Sequence, residues 1–150
     1  MAEFTTTPFE PWHLKLIKEG VHYARPDLDP ETRAKIYRQI EGVTVLLDGE
    51  ICAILGVVVL WPGVGEVTMI PTNLYYRNLK TCVKFTRQLI SVAMETYGLH
   101  RLQATCLASH PKHARFLEFL GLQYEGKLHG YGPKGEDFMM YATVPVRVDQ

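Results

Sequence analysis

Few features of this sequence are extreme, and each shortage removes a class of protein. Only three cysteines occur in the 150 residues. Cys52, Cys82 and Cys106 are an odd number, and no two have zinc-like spacing. A disulfide framework and a structural zinc site are therefore not expected, and reduced thiols in a cytoplasmic compartment are the simplest reading. Neither sign of charge is in excess: 16 Lys and Arg stand against 16 Asp and Glu. Nothing draws such a chain to nucleic acid or to an anionic membrane surface. The longest apolar run, Ile51–Trp61, falls far short of the roughly 20 residues that span a bilayer. The N-terminus lacks the basic-then-apolar pattern of a signal peptide, and no internal repeat or low-complexity tract is visible. What remains is a 47% hydrophobic chain, read as a single domain over residues 1–150 that is long enough to bury a core.

Taken in order, Phe4–Thr7 reads as a first edge strand and Pro8–Gly20 as a first helix with Trp12, Leu16 and Ile17 inward. His22–Leu28 is a loop. Asp29-Pro30-Glu31 is a helix start, with a capping Asp, Pro at the first helical position and an acid that suits the dipole. Ile36, Tyr37 and Ile40 would form that helix's apolar side, and Arg33, Lys35 and Arg38 its wet one. Val43–Leu47 and Ile51–Trp61 flank Asp48-Gly49, a strong hairpin signal. The second of these strands is apolar throughout, which predicts cover on both faces. Trp61-Pro62-Gly63-Val64-Gly65 turns the chain into a third antiparallel strand, Glu66–Ile70. Pro71–Asn78 reads as a loop. From Leu79 to Tyr97 apolar residues recur at helical spacing, closed by Gly98. Pro145–Gln150 is a polar tail.

The stretch Leu99–Ala142 carries the densest pattern. Leu102, Ala104 and Cys106 alternate with polar neighbours, the period of a strand with one apolar face. Ser109-His110 supplies a cap region, Pro111 a first helical residue, and Ala114, Leu117 and Leu120 an inner face ending at Gly121. Two further strands, Leu122–Leu128 and Phe138–Val144, are joined by Gly132-Pro133-Lys134-Gly135-Glu136-Asp137.

This order of strand, short helix, strand, turn and strand resembles the C-terminal half of the GNAT superfamily of N-acetyltransferases. The resemblance rests on His110–Leu122, followed by Tyr124-Glu125-Gly126 and later by Gly135, Asp137 and Tyr141. Ribosomal-protein-type acetyltransferases carry the most similar version. It covers the last third of the chain well, the middle moderately and the start poorly. The fold it implies is an α/β (α+β) GNAT fold: a mixed, mostly antiparallel, splayed sheet with helices on both faces. The function it implies is transfer of an acetyl group from the co-substrate acetyl-CoA directly to an amine.

The resemblance also implies a site. The splayed strands would be Glu66–Ile70 and Leu102–Leu107, with a cofactor-sized gap between them. Met69 and Ile70 would pair through their backbone with the pantetheine arm. Arg77, Asn78, Leu79, Lys80, Thr81 and Cys82 would hold the pyrophosphate, on helix-start N–H groups that favour an anion. The family pattern there is Gln/Arg-x-x-Gly-x-Gly/Ala. Arg77 fits its first position, whereas Lys80 and Cys82 replace the glycines. Lys80 either adds charge attraction or blocks the backbone's approach to phosphate. Glu66 is the candidate general base, set against an ordinary exposed strand-end Glu. The family's Tyr acid falls at Leu117 and is absent. His110 is a candidate donor beside the thioester, set against a plain helix cap.

Other chemistries are weaker. His110-x-x-His113 lacks a third metal ligand nearby, and no metal is expected. Cys106 alternates with core residues and reads as a packed thiol. His129, Tyr131 and Asp137 would shape an acceptor pocket or serve the last turn. The rival reading is a catalytically inactive GNAT-like binding or assembly protein. Small GNAT-like proteins of tailed bacteriophages, including internal virion proteins, show a similarly eroded phosphate loop. The partners implied are acetyl-CoA and an unidentified amine acceptor, with a homodimer or a virion protein as alternatives. The compartment is the cytoplasm, or a host cytoplasm or virion if phage-encoded.

Overall fold

The computed structural model describes residues 3–16, 31, 32, 35 and 41–143. These residues fall into two compact units, one within Met1–Val58 and Val67–Cys82, the other within Val59–Glu66 and Val83–Gln150. The strands are β1 (Phe4–Pro8), β2 (Glu41–Leu47), β3 (Glu50–Trp61), β4 (Val64–Pro71), β5 (Arg101–Leu107), β6 (Gln123–Leu128) and β7 (Phe138–Ala142). The helices are α1 (Asn73–Arg77), α2 (Leu79–Thr96) and α3 (Pro111–Phe119), with a 3-10 turn at Pro11–Leu16. Hydrogen bonding orders the seven strands β1-β2-β3-β4-β5-β7-β6.

In the first unit β1 pairs antiparallel with β2, Phe4 opposite Leu47, and β2 pairs antiparallel with β3, Glu41 opposite Val57. Asp48 and Gly49 both have positive φ, the backbone a two-residue hairpin needs to match strand twist. Ile51–Val57 is buried at every residue, as an apolar run covered on both faces should be. The expectation of cover fails at the strand's end: Val58–Trp61 is exposed at all four positions, because the ladder with β2 stops at Val57.

Two expectations near the start are also corrected. Pro8 closes β1, and the chain then makes a 3-10 turn where a helix from Pro8 was expected. Trp12 is 54% and Leu16 51% exposed, so neither faces inward; the buried residue is His13, at 6%. Its ring is held by the Thr44 hydroxyl (Nδ1 to Oγ1, 2.8 Å), a polar anchor that an apolar-periodicity argument does not see. Of the expected second helix, only Glu31, Thr32 and Lys35 lie among the described residues, and all three are helical. The expected loop at His22–Leu28, the remaining helix positions Arg33, Ile36, Tyr37, Arg38 and Ile40, and the tail Pro145–Gln150 lie outside them.

In the second unit β5 runs parallel to β4, pairing Val64 with Arg101, Gly65 with Leu102 and Glu66 with Gln103. On its other side β5 pairs antiparallel with β7 from Gln103–Ala142 to Leu107–Phe138. Leu102, Ala104 and Cys106 are buried, in the alternation read from the sequence. The helix α3 opens with Pro111 at its first turn and buries Ala114 and Leu117. Gly121 ends it with φ +94°, while the Leu122 N–H reaches back to the Leu117 carbonyl at 3.1 Å. β6 pairs with β7, and Glu125 is the extra residue of a bulge between Tyr124 and Gly126. The bulge turns the Glu125 carboxylate toward Arg101, which grips it with two bonds of 2.8 and 2.6 Å.

Candidate active site

Four core residues set the frame of the candidate cofactor region in the first unit. Val67, Met69, Ile70 and Pro71 of β4 are buried. The side chains of Met69 and Ile70 thus belong to the core. The strand ends at Pro71 and is followed by Thr72, whose N–H and hydroxyl both donate to the Cys52 carbonyl, at 2.9 and 3.0 Å. That commitment turns the Thr72 hydroxyl away from α1, which starts without a side-chain cap. The expected loop over Pro71–Asn78 is therefore a strand end followed by a one-turn helix. Tyr75 is its buried anchor, and Asn73-Leu74 lacks the apolar period that would have announced it.

Asn78 joins α1 to α2. Its carbonyl accepts the Cys82 N–H at 2.9 Å, the first bond of α2, and its side-chain amide donates back to the Leu74 carbonyl at 3.0 Å. Leu79, Lys80 and Thr81 are thus the first three residues of an 18-residue helix. Their N–H groups have no acceptor within their own helix, and the helix dipole is positive there. Lys80 and Thr81 are exposed, as are Arg77 and Asn78. Cys82 behaves differently. Its N–H is taken by Asn78, and its side chain is buried against that of Cys52. Helical phase gives the reason: Cys82, Thr86 and Ile90 form one inward row at intervals of four, and all three are buried.

The candidate catalytic residues lie in the second unit. Glu66 is half-buried and sits at the last pair of the parallel ladder, opposite Gln103, whose side-chain oxygen accepts from Arg101 Nε at 3.0 Å. His110 is exposed at the N-cap position of α3 and makes no side-chain cap bond. Instead its Nδ1 lies 3.1 Å from the Ser109 hydroxyl, and its ring stacks on His113 with centroids 5.2 Å apart and 14° between planes. Leu117, at the position of the family's Tyr acid, is a buried core residue. Cys106 is buried as well, and burial pushes its thiol up to about 11. In the last turn Asp137 accepts the Gly130 N–H at 2.9 Å and lies 3.5 Å from Lys127 Nζ and 3.9 Å from His129 Nδ1. The Gly130 bond is the first cause of its lowered pKa. Asp137 is thereby accounted for as a turn residue. Among the described residues no group of three or more His, Cys, Asp or Glu is placed to hold a metal ion. No helix among them is long and apolar enough to cross a membrane.

No family model matches the chain, and no curated protein matches it. Solved structures do. A GNAT-family acetyltransferase from Bacillus anthracis superposes with TM-score 0.70 at 16% identity, over 96% of each chain. IAA acetyltransferase from Bacillus cereus gives TM-score 0.71 at 12% identity, over 94% of this chain and 99% of that one. A chimera of spermidine N-acetyltransferase SpeG from Vibrio cholerae and hSSAT gives 0.69 at 14% identity, over 94% and 95%. The fold of this chain is that of the GNAT acetyltransferases.

Proposed function

We propose that the protein is an acetyl-CoA-dependent N-acetyltransferase that passes the acetyl group directly to an amine. The observation that carries this reading is the start of α2. A strand ending at Pro71 leads through the short helix α1 and Asn78 into an 18-residue helix whose first three N–H groups lack acceptors within that helix. Arg77 and Lys80 are exposed beside them, a combination suited to a pyrophosphate. The inward direction of Cys82 also supports it. A side chain at the second glycine position does not obstruct an anion when that side chain belongs to the core. The fold shared with acetyltransferases raises the prior but does not itself supply chemistry.

In this reading the pantetheine arm lies along the β4 backbone near Met69 and Ile70. The amine nitrogen attacks the thioester carbonyl, a C–N bond forms, and the C–S bond breaks. Before that attack Glu66 takes a proton from the ammonium, directly or through water, leaving the neutral amine whose lone pair forms the new bond. The departing thiolate acquires its proton from solvent or from His110, since Leu117 has none to give. Holding both reactants in place supplies much of the acceleration. The rival, a GNAT-shaped binding protein, is favoured by the two replaced glycines, at Lys80 and Cys82, and by the non-ionisable Leu117.

Release of free CoA thiol from acetyl-CoA in the presence of a panel of primary amines separates the two. An active enzyme releases thiol only with an acceptor present. Glu66→Gln should then lower kcat by about a hundredfold and remove the acidic limb of the pH profile, with KM for acetyl-CoA little changed. No amine-dependent release with any acceptor favours the binding protein.

A further inference from the structure

Among the described residues of the first unit, a polar cluster lies in the 3-10 turn that follows β1. The Trp12 indole N–H donates to Glu10 Oε2 at 2.7 Å, fixing a carboxylate at the edge of the ring. His13 holds this pair from beneath. Its Nδ1 accepts the Glu10 backbone N–H at 3.2 Å, so the lone pair is on Nδ1 and the Thr44 hydroxyl, 2.8 Å away, also donates to it. The ring proton then belongs to Nε2, which faces Glu10 Oε2 at 3.8 Å. The His13 and Trp12 rings meet edge to face with centroids 4.4 Å apart. A buried His–Thr contact therefore fixes a platform whose upper surface is open: Trp12 is 54% exposed and the Glu10 side chain 59%.

An indole face carries the negative end of the ring quadrupole, and a carboxylate beside it adds a full negative charge. Both groups attract a cation, and the carboxylate also accepts its N–H bonds. We propose that Glu10 and Trp12 form a binding site for an alkylammonium group. The ammonium bonds to Glu10 while the methylenes next to it cover the Trp12 face. The ligand class is a primary alkylammonium such as an aliphatic diamine or longer polyamine; whether that ligand is also the acetyl acceptor rests on the acetyl-transfer reading.

The test uses Trp61→Phe protein, in which Trp12 is the single remaining tryptophan. Titration with 1,4-diaminobutane should give a saturable change in Trp12 emission at millimolar concentration or below, weakened by added salt. The uncharged isostere 1,4-butanediol should give none. Glu10→Gln, at an exposed position, should weaken binding about tenfold or more. Trp12→Leu, followed by calorimetry, should lose most of the heat of binding, and melting curves confirm that each variant folds. No saturable change, an equal response to the diol, or undiminished binding by Glu10→Gln overturns the proposal. Acetyl-CoA calorimetry on the same sample separates the two readings. Acetyl-CoA binding without diamine binding rejects this site alone. Diamine binding without acetyl-CoA binding keeps the site and rejects acetyl transfer.

Discussion

At position 82 the motif pattern calls for a glycine, yet the residue is a cysteine whose thiol hydrogen-bonds that of Cys52 in the core. That bond, reinforced by burial, holds Cys52 far above the ordinary thiol range, and the same bond lowers Cys82. Cys52 thus keeps its proton. Since the thiolate is the reactive form, Cys52 and Cys106 are inert on acidity alone, and Cys82 is protected by burial alone. A thiol reagent at pH 8 should leave all three cysteines of the native protein unlabelled over a time in which the unfolded chain labels completely. Rapid native labelling would contradict the packing described. The sequence placed Cys82 in the phosphate turn without giving its direction. The spacing Cys82, Thr86, Ile90 contained that information, hidden because a Thr in the row does not read as core. Trp12 shows the reverse error: apolar character predicted burial, whereas its neighbour His13, polar and anchored on Thr44, took the inner position.

Elements with a strong period or a rigid turn were legible. Asp48-Gly49 specified its hairpin, α2 its apolar face, and Pro111 and Gly121 the two ends of α3. Elements set by tertiary hydrogen bonds were not. The helix α1 exists where Thr72 is drawn onto β3 and Tyr75 is buried, and nothing local announces either. The bulge at Glu125 is likewise invisible in sequence, although Glu125-Gly126 was already singled out. Its carboxylate is lowered by the hydrogen bonds from Arg101, and the Arg101 guanidinium is raised by the same bonds. A depressed carboxylate contributes stability above its unfolded pKa, near 4.5, and loses it as pH falls through the folded value below that. Glu125→Gln should therefore destabilise the protein at pH 7 and have little effect at the acid end. Because the pair is partly exposed, a double-mutant cycle with Arg101→Met should give a coupling of about 0.5–1 kcal/mol at low salt, smaller at high salt. A pH-independent coupling would contradict the assignment. Gly121→Ala forces an L side chain into a left-handed position and should cost about 1–2 kcal/mol, read as a lower denaturant midpoint with an unchanged slope.

For the whole chain, the fold was readable from the order of its elements even though pairwise identity to the superposed acetyltransferases is only 12–16%. Order and periodicity survive substitutions that erase identity, because a core accepts many apolar sequences of similar volume. The candidate site was readable only as positions. Which backbone groups face a ligand, and whether Lys80 serves or obstructs, depend on helix phase and local hydrogen bonds. The structure sets Lys80 and Thr81 outward at a helix start and Cys82 inward, the ground on which we propose that Lys80 attracts phosphate. Calorimetric titration with acetyl-CoA, with desulfo-CoA as a second ligand, addresses that assignment directly. The account predicts micromolar binding of both ligands and its loss in Lys80→Glu, whose exposed side chain leaves folding intact. Absence of heat at high ligand concentration, or undiminished binding by Lys80→Glu, would contradict it.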